Sequence, residues 1–540
     1  MDNNHQVDSG QPHPGRSIAA DSAVQGPEEK TEDKVYVQIS KKLLPESKEN
    51  SKSSNQFIPL RDLKYILSPN VVAKLLEEAS LTSIMQPGQP DPIFGSEDKP
   101  RRIKILGILI LTGGVDYIKH FCNNGPDDEK LPLSRDSNFF KSNNWKQRLI
   151  DEFCRRQYEM LAPDFNFSNR EVQDFLINYP LPFLKELDWK VHGAHGLISK
   201  AYIHPDYQIW SGSNSKLQQP FYAIKKFFPN NSTHFANERN ALQRFGGQRE
   251  GHKNLLTLLL SYQRGGESFM IFPWAEGNLV DFWKKEPTAN PPSPKDLIWL
   301  IQQCQGIASG LSKVHRYEHG NFQGRHGDIK PENILFFREA GSERGLLVVA
   351  DFTLMRFHSQ NTMNVTGAGE VGYTSAYCPP EVKVTMEASI NQKYDIWTLG
   401  CVYLEFITWY LLGYNATRGP SFTMSGKEVQ SFLAARTKEH NGPYTYGRDN
   451  FFIIPGKQGA EWIKMLRGDN NCSEALQEFL TLVEGHMLVP EQGDRCCMDH
   501  VLRTLEAISS KCGYCCVGKP KPRDGDAQFP PLATAQVHPL

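Results

Sequence analysis

The chain has 540 residues, 39% of them hydrophobic, and a formal net charge of −1 from 60 Lys and Arg against 61 Asp and Glu. At about 150 residues per domain this length predicts more than one folded unit, and the apolar fraction suffices for a sizeable core. The neutral balance excludes a global electrostatic pull toward nucleic acid or an anionic membrane, so no nucleic-acid partner is expected.

Residues 1–55 open as MDNNHQVDSGQPHPG and are rich in Ser, Asn, Gln, Pro and charge. They hold no apolar h-region of a secretory signal, and disorder is expected. From 56 to about 180, apolar residues recur at spacings of three and four in VVAKLLEEAS, NWKQRLIDEFCRRQYEML and NREVQDFLINYPLPFLKEL. This predicts a small helical region, with protein docking or packing as its role. Its most apolar run is ILGILIL, residues 105–111, bounded by Lys104 and by Gly113–Gly114. A bilayer needs about 20 residues, so the run predicts a buried core segment and no membrane span.

The texture changes at about 185. LDWKVHG, LISKAYI, PFYAIKKFF and ESFMIFPW read as strands. DLIWLIQQCQGIASGLSKVHR, KYDIWTLGCVYLEFITWYLL and SEALQEFLTLVEGHML then read as helices. Strands first and helices later predict an α+β domain of two lobes over residues 185–510. The tail 517–540 is Pro-rich and expected to be unstructured. The 11 cysteines are scattered and expected to stay reduced. The cluster Cys512, Cys515, Cys516 lacks a second pair at zinc-site spacing. The expected compartment is the cell interior, the cytoplasm or the nucleus.

Chemistry concentrates in RHGDIKPENILFF, residues 325–337. Phosphoryl transfer from ATP needs a carboxylate to aim the attacking hydroxyl and take its proton, and oxygen ligands for Mg²⁺. Asp328 and Asn333, five apart on one loop, can do both, and Lys330 between them can neutralise the moving charge. Alone, this pattern is equally a polar turn after a helix. Its partners, however, come in order. LLVVADFT puts Asp351 at the end of an apolar strand. FYAIKKF sets Lys225 inside a strand beside Tyr222 and Ala223, and a buried Lys requires an anion. HFANERNALQRF supplies Glu238 on the next helix.

This ordered set resembles the protein kinase family, serine/threonine type, over residues 191 to about 495. The resemblance implies a small β-rich lobe, a larger helical lobe and ATP–Mg²⁺-dependent phosphorylation of serine or threonine in protein substrates, whose identity is unread. It makes Asp328 the catalytic base, Asn333 and Asp351 the metal ligands, Lys225 the phosphate lysine and Glu238 its partner. It also implies that Thr374 bonds Asp328 and Lys330. Gly193 and Gly196 match the last two glycines of the phosphate loop, and Ile198 its valine. Phe272 falls at the gatekeeper position, with the Pro273 carbonyl and the Ala275 N–H facing adenine; Ala223 and Leu335 complete the nucleotide-binding set. Glu381 of YCPPE is implied to pair with Arg495, and Asp395 to brace the catalytic loop.

Three positions depart from the family pattern. Val191 replaces the first glycine, and Gly327 replaces an arginine that would pair a phosphate on the activation segment. Thr353 replaces the glycine after Asp-Phe and is expected to stiffen the segment by losing positive-φ freedom. All five polar groups, Lys225, Glu238, Asp328, Asn333 and Asp351, are present, so an active kinase is expected. A pseudokinase scaffold or binding module is the alternative. A small-molecule kinase is a minor one, disfavoured by YCPPE and YDIWTLG.

Overall fold

The computed structural model describes residues 35–43, 57–84, 91–95, 101–185, 187–192, 196–211, 220–229, 232–245, 251–286, 293–316, 322–338, 344–359, 376–384, 391–424, 426–437 and 457–516. They fall into two compact units, residues 1–51 with 60–160, and residues 52–59 with 161–540.

The first unit is helical. Its main helices are α1 (Val35–Leu43), α2 (Leu60–Ile66), α3 (Pro69–Glu78), α4 (Ile103–Thr112) and α5 (Gln147–Arg156). The ILGILIL run forms most of α4, buried from Ile105 to Ile110; α1, α2 and α5 pack against it, and α3 packs against α1. Gly113 ends α4 with φ +67°, a left-handed cap that glycine adopts without steric cost. Helix α1 corrects the expectation of disorder throughout 1–55. Its Ile39 and Leu43 stand one turn apart on one face and are only 3% and 4% exposed. Its Val35 N–H donates to Glu78 Oε2 at 2.9 Å. Two apolar residues at helical spacing are enough to dock a short helix, although the surrounding composition is polar. The rest of that expected tail, and the expected tail 517–540, lie outside the described residues.

Asp128 caps α4. Its carboxylate accepts the backbone N–H groups of Lys104 and Ile105 at 3.1 and 3.0 Å. Burial outweighs those bonds and pushes the carboxyl up to about 6. A pKa raised by folding means that Asp128 takes up a proton on folding. Its contribution to stability is therefore full below its ordinary 3.8 and lost as pH rises through about 6. At about 1.4 kcal/mol per unit, the effect approaches about 3 kcal/mol. Between pH 4 and pH 7 the stability difference between Asp128→Asn and wild type should move in the variant's favour by up to that amount. Urea unfolding with a pH-independent difference would contradict this.

The second unit opens on a further correction. NREVQDFLINYPLPFLKEL is not helical: Gln173–Phe175 forms strand β1, followed by turns. Pro180 and Pro182 lack the N–H groups a helix needs. Phe165, Phe167, Phe175 and Phe183 are buried with Tyr222, Tyr262 and Phe269. This aromatic packing ties residues 161–183 to the second unit, so the structural division falls at 160/161 instead of near 185.

Next come β2 (Lys190–His192), β3 (Gly196–Ala201), β4 (Tyr222–Phe227), helix α6 (Ser232–Phe245), β5 (Leu260–Arg264) and β6 (Glu267–Pro273). The sheet order is β1-β5-β6-β4-β3-β2, antiparallel except where β1 pairs parallel with β5. The helical lobe is built on α7 (Pro294–His315), α8 (Lys393–Arg418) and α9 (Met498–Cys516). By length and composition α8 could cross a membrane, but its most apolar stretch is 89% buried in the protein, as the central helix of the lobe's core. Between α7 and α8, β7 (Phe322–Arg325) pairs with β10 (Arg356–Ser359), and β8 (Ile334–Phe337) with β9 (Leu346–Val349). These pairings hold loop 326–333 and the Asp351 turn at strand ends. The architecture is the expected α+β bilobal fold.

Candidate active site

Lys225 lies in the middle of β4, its side chain 9% exposed, with Ile198 of β3 and Met270 of β6 opposite it. Its ammonium donates to both oxygens of Glu238 on α6, at 2.9 and 2.7 Å. Asp351 Oδ1 lies 3.4 Å from the same nitrogen. Burial alone would discharge Lys225, but Asp351 and Glu238 outweigh it and raise its pKa. Burial likewise works against ionised Asp351, yet Lys225 and the Thr353 hydroxyl hold its carboxyl well below the usual range. Burial raises Glu238, with Lys225 opposing. The cluster is thus a charged Lys225–Asp351 pair with Glu238 buried behind it.

Thr353 does not carry the positive φ that its position led us to expect to be lost. The left-handed residue is Asp351, at φ +61°, and Thr353 sits in the one-turn helix Phe352–Leu354. Gly196 has a structural requirement of its own. A Cβ there would lie 2.4 Å from the Lys226 carbonyl across the β3–β4 pairing. Gly193 lies outside the described residues.

The second cluster is on loop 326–333. The Asn333 side-chain amide donates to the Asp328 main-chain carbonyl at 2.9 Å and to its Oδ2 at 2.8 Å. Lys330 Nζ reaches the same Oδ2 at 2.8 Å. The loop is held from below by Asp395, fully buried near the start of α8. Asp395 accepts the backbone N–H groups of His326 and Gly327 at 2.8 and 2.9 Å and contacts His315 Nε2 at 2.8 Å. His326 joins the two clusters. Its Nδ1 accepts the Asp328 N–H at 3.3 Å, so Nε2 carries the ring proton toward the Ala350 carbonyl at 3.1 Å, one residue before Asp351. Burial lowers its pKa and favours that neutral form.

Gly327 adopts φ +85°, and a Cβ there would stand 3.2 Å from the Leu354 carbonyl. The backbone at this position therefore favours glycine in its own right. Thr374 lies outside the described residues.

At the expected hinge, Phe272 is buried opposite Ala223, and Pro273 ends β6 opposite Tyr222. Ala275 follows in the connection to a short strand whose Asn278 pairs with Leu335 of β8. Away from the cleft, the Arg495 guanidinium grips Glu381 with two bonds of 2.7 and 2.6 Å. Four contributors went unrecognised in the sequence: Thr353 as a hydroxyl donor, His326 between the two clusters, His315 at the end of α7, and Arg418. The last bridges Glu332 and Glu405 at 2.9 Å each and donates to the Tyr377 hydroxyl. Thr353 carried a signal, a hydroxyl where glycine was expected, and His326 lay inside the RHGDIKPENILFF run.

The residues fit a nucleotide with a divalent cation. The amide nitrogen of Asn333 is committed to Asp328, which leaves its amide oxygen, with the Asp351 carboxylate, as hard donors. Among the described residues no three His, Cys, Asp or Glu side chains form a metal cage. Two oxygen donors suit a cation whose remaining ligands are water and phosphate. The side chains of Cys512, Cys515 and Cys516 lie outside the described residues.

Comparison with known proteins points the same way. The family model described as "Protein kinase domain" matches residues 213–505. Phytosulfokine receptor 2 of Arabidopsis thaliana is 31% identical over 162 residues, 30% of this chain and 14% of the receptor. Serine/threonine-protein kinase 36 of Pongo abelii is 29% identical over 154 residues, 28% of this chain and 10% of that protein. Serine/threonine-protein kinase srb10 of Schizosaccharomyces pombe is 26% identical over 256 residues, 45% of this chain and 61% of that kinase. The chain thus spans less than two thirds of each of these relatives. With just over half of its length matched by the family model, and with the fold and polar clusters described above, this chain belongs to the protein kinase domain family, whose members use ATP and a divalent metal.

Proposed function

We propose that this chain is a serine/threonine protein kinase. The observation that carries the proposal is the convergence of Lys225, Glu238 and Asp351 within hydrogen-bonding range in one buried cluster, linked through His326 to the loop that presents Asp328. Mg²⁺–ATP, when bound, supplies the phosphoryl group and neutralises its developing charge. Asp328 orients the substrate hydroxyl and accepts its proton. Lys330 offsets negative charge beside it, and Lys225, fixed by Glu238, positions the phosphates. Asn333 and Asp351 hold the cation. Lys330, two residues past the base, favours the serine/threonine type, as do the printed names of two of the relatives.

In this proposal the first, helical unit recruits protein substrates, and the protein acts inside the cell. The test is incubation with Mg²⁺, γ-labelled ATP and a mixed protein substrate, followed by phosphoamino-acid analysis. Labelled serine or threonine is expected. Label confined to tyrosine, or none above an Asp328→Asn control, would refute the proposal.

Regulation follows from Gly327. With no arginine there to pair a phosphate, activity should not depend on phosphorylation of the segment 353–377. Phosphatase-treated protein and the Thr362→Ala, Thr366→Ala double variant should keep most of the wild-type rate. Silencing by phosphatase would contradict this.

A further inference from the structure

The Thr353 hydroxyl is 1% exposed as a residue and lies among all three charged groups of the first cluster. It is 2.7 Å from Glu238 Oε2, 2.5 Å from Asp351 Oδ1 and 3.2 Å from Lys225 Nζ. These partners come from α6, from the turn after β9 and from β4. The hydroxyl contact to Asp351 is far shorter than the 3.4 Å from Lys225. Lys225 has three protons and spends its shortest bonds on Glu238. Asp351 therefore takes its shortest side-chain contact from Thr353, beside the charge of Lys225.

Asp351 also needs holding. Its backbone sits at φ +61°, a conformation that costs a non-glycine residue free energy and persists only when its surroundings impose it. A glycine at 353 would offer no side chain for this. The hydroxyl has one proton and two lone pairs. It can accept from Lys225 and donate to one carboxylate at a time, Asp351 or Glu238. When a cation draws on the Asp351 oxygens, that proton can turn to Glu238, so the link between turn and helix need not be broken.

We propose that Thr353 is a positioning residue whose hydroxyl ties Asp351 to the Lys225–Glu238 pair and sets the metal-binding carboxylate before nucleotide arrives. The proposal rests on the assignment of Asp351 as a cation ligand.

The test compares Thr353→Val, which keeps the shape, Thr353→Ala, and Thr353→Ser, which keeps the hydroxyl. The first readout is hydrogen exchange by mass spectrometry on full-length protein without metal or nucleotide. Valine and alanine should speed exchange in 351–354 and in α6. The second is thermal-shift titration with Mg²⁺ and a non-hydrolysable ATP analogue. Its midpoint should rise about tenfold to a hundredfold, the scale of one hydrogen bond to a charged group. Serine should restore most of both.

If valine and alanine match wild type while Asp351→Ala abolishes the nucleotide response, the positioning role falls and the Asp351 assignment stands. If Asp351→Ala also responds like wild type, both fall. Serine behaving like valine would show that packing matters instead of the hydroxyl, and overturns the proposal. Should valine fail to fold, alanine carries the comparison. If neither folds and serine does, the hydroxyl is a folding determinant and the positioning role is overturned.

Discussion

Asp328→Asn should lower phosphoryl-transfer turnover by about a hundredfold or more, the scale of a lost general base, while the protein stays folded and binds nucleotide. The substitution is nearly isosteric. It removes the charge that faces Lys330 Nζ at 2.8 Å and the lone pair that would take the substrate proton. The loop keeps supports that do not involve this side chain, namely the His326 and Gly327 N–H groups donating to Asp395 and the Asn333 amide donating to the main-chain carbonyl of residue 328. The Lys225 cluster is formed by residues of β4, α6 and the turn after β9. A quench assay with single turnover of labelled ATP would separate chemistry from binding. Unchanged single-turnover transfer by the variant would end the assignment of Asp328.

Asp351→Ala and Lys225→Met should fail in different ways. At a hundredfold excess over Kd, a bound ligand stabilises a protein by about 2.7 kcal/mol. Asp351→Ala should lose the Mg²⁺-dependent part of that stabilisation entirely, yet leave the ligand-free protein near wild-type stability. Its Lys225–Glu238 pair survives, with bonds of 2.9 and 2.7 Å. Lys225→Met instead leaves Glu238, 2% exposed, without its cation and beside a second carboxylate. Breaking a buried pair on one side costs about 3–5 kcal/mol. Lys225→Met should therefore unfold at markedly lower urea than Asp351→Ala in the absence of ligand, as well as lose productive nucleotide binding. Equal ligand-free stability of the two variants would contradict the geometry of the cluster, and an intact Mg²⁺–nucleotide shift in Asp351→Ala would contradict its role.

The sequence by itself determined the family, the two-lobed α+β class and the chemical types at Lys225, Glu238, Asp328, Asn333 and Asp351. These are legible because each is carried by a short segment: a Lys inside an alternating strand, an Asp at a strand end, an Asp and Asn on one loop. Local order and spacing survive translation into structure. The buried ILGILIL segment was legible because residues 105–111 are too short a run to cross a bilayer.

What the tertiary structure alone decided lies where a local pattern met a distant partner. The helix at 35–43 forms because Ile39 and Leu43 find a core to enter, which no local composition reveals. The NREVQDFLINY segment carries apolar residues at helical spacing, but pairing with β5 and the aromatic core around Tyr262 win over that preference. Gly327 and Gly196 read as losses or matches in a motif, whereas φ +85° at the first and the Lys226 carbonyl at the second show that the backbone demands them. Thr353 looked like a substitution that forfeits flexibility. Only the convergence of β4, α6 and the turn after β9 shows that its hydroxyl lies within hydrogen-bonding distance of all three charges, because hydrogen bonds depend on distances of tenths of an ångström between segments more than a hundred residues apart in the chain.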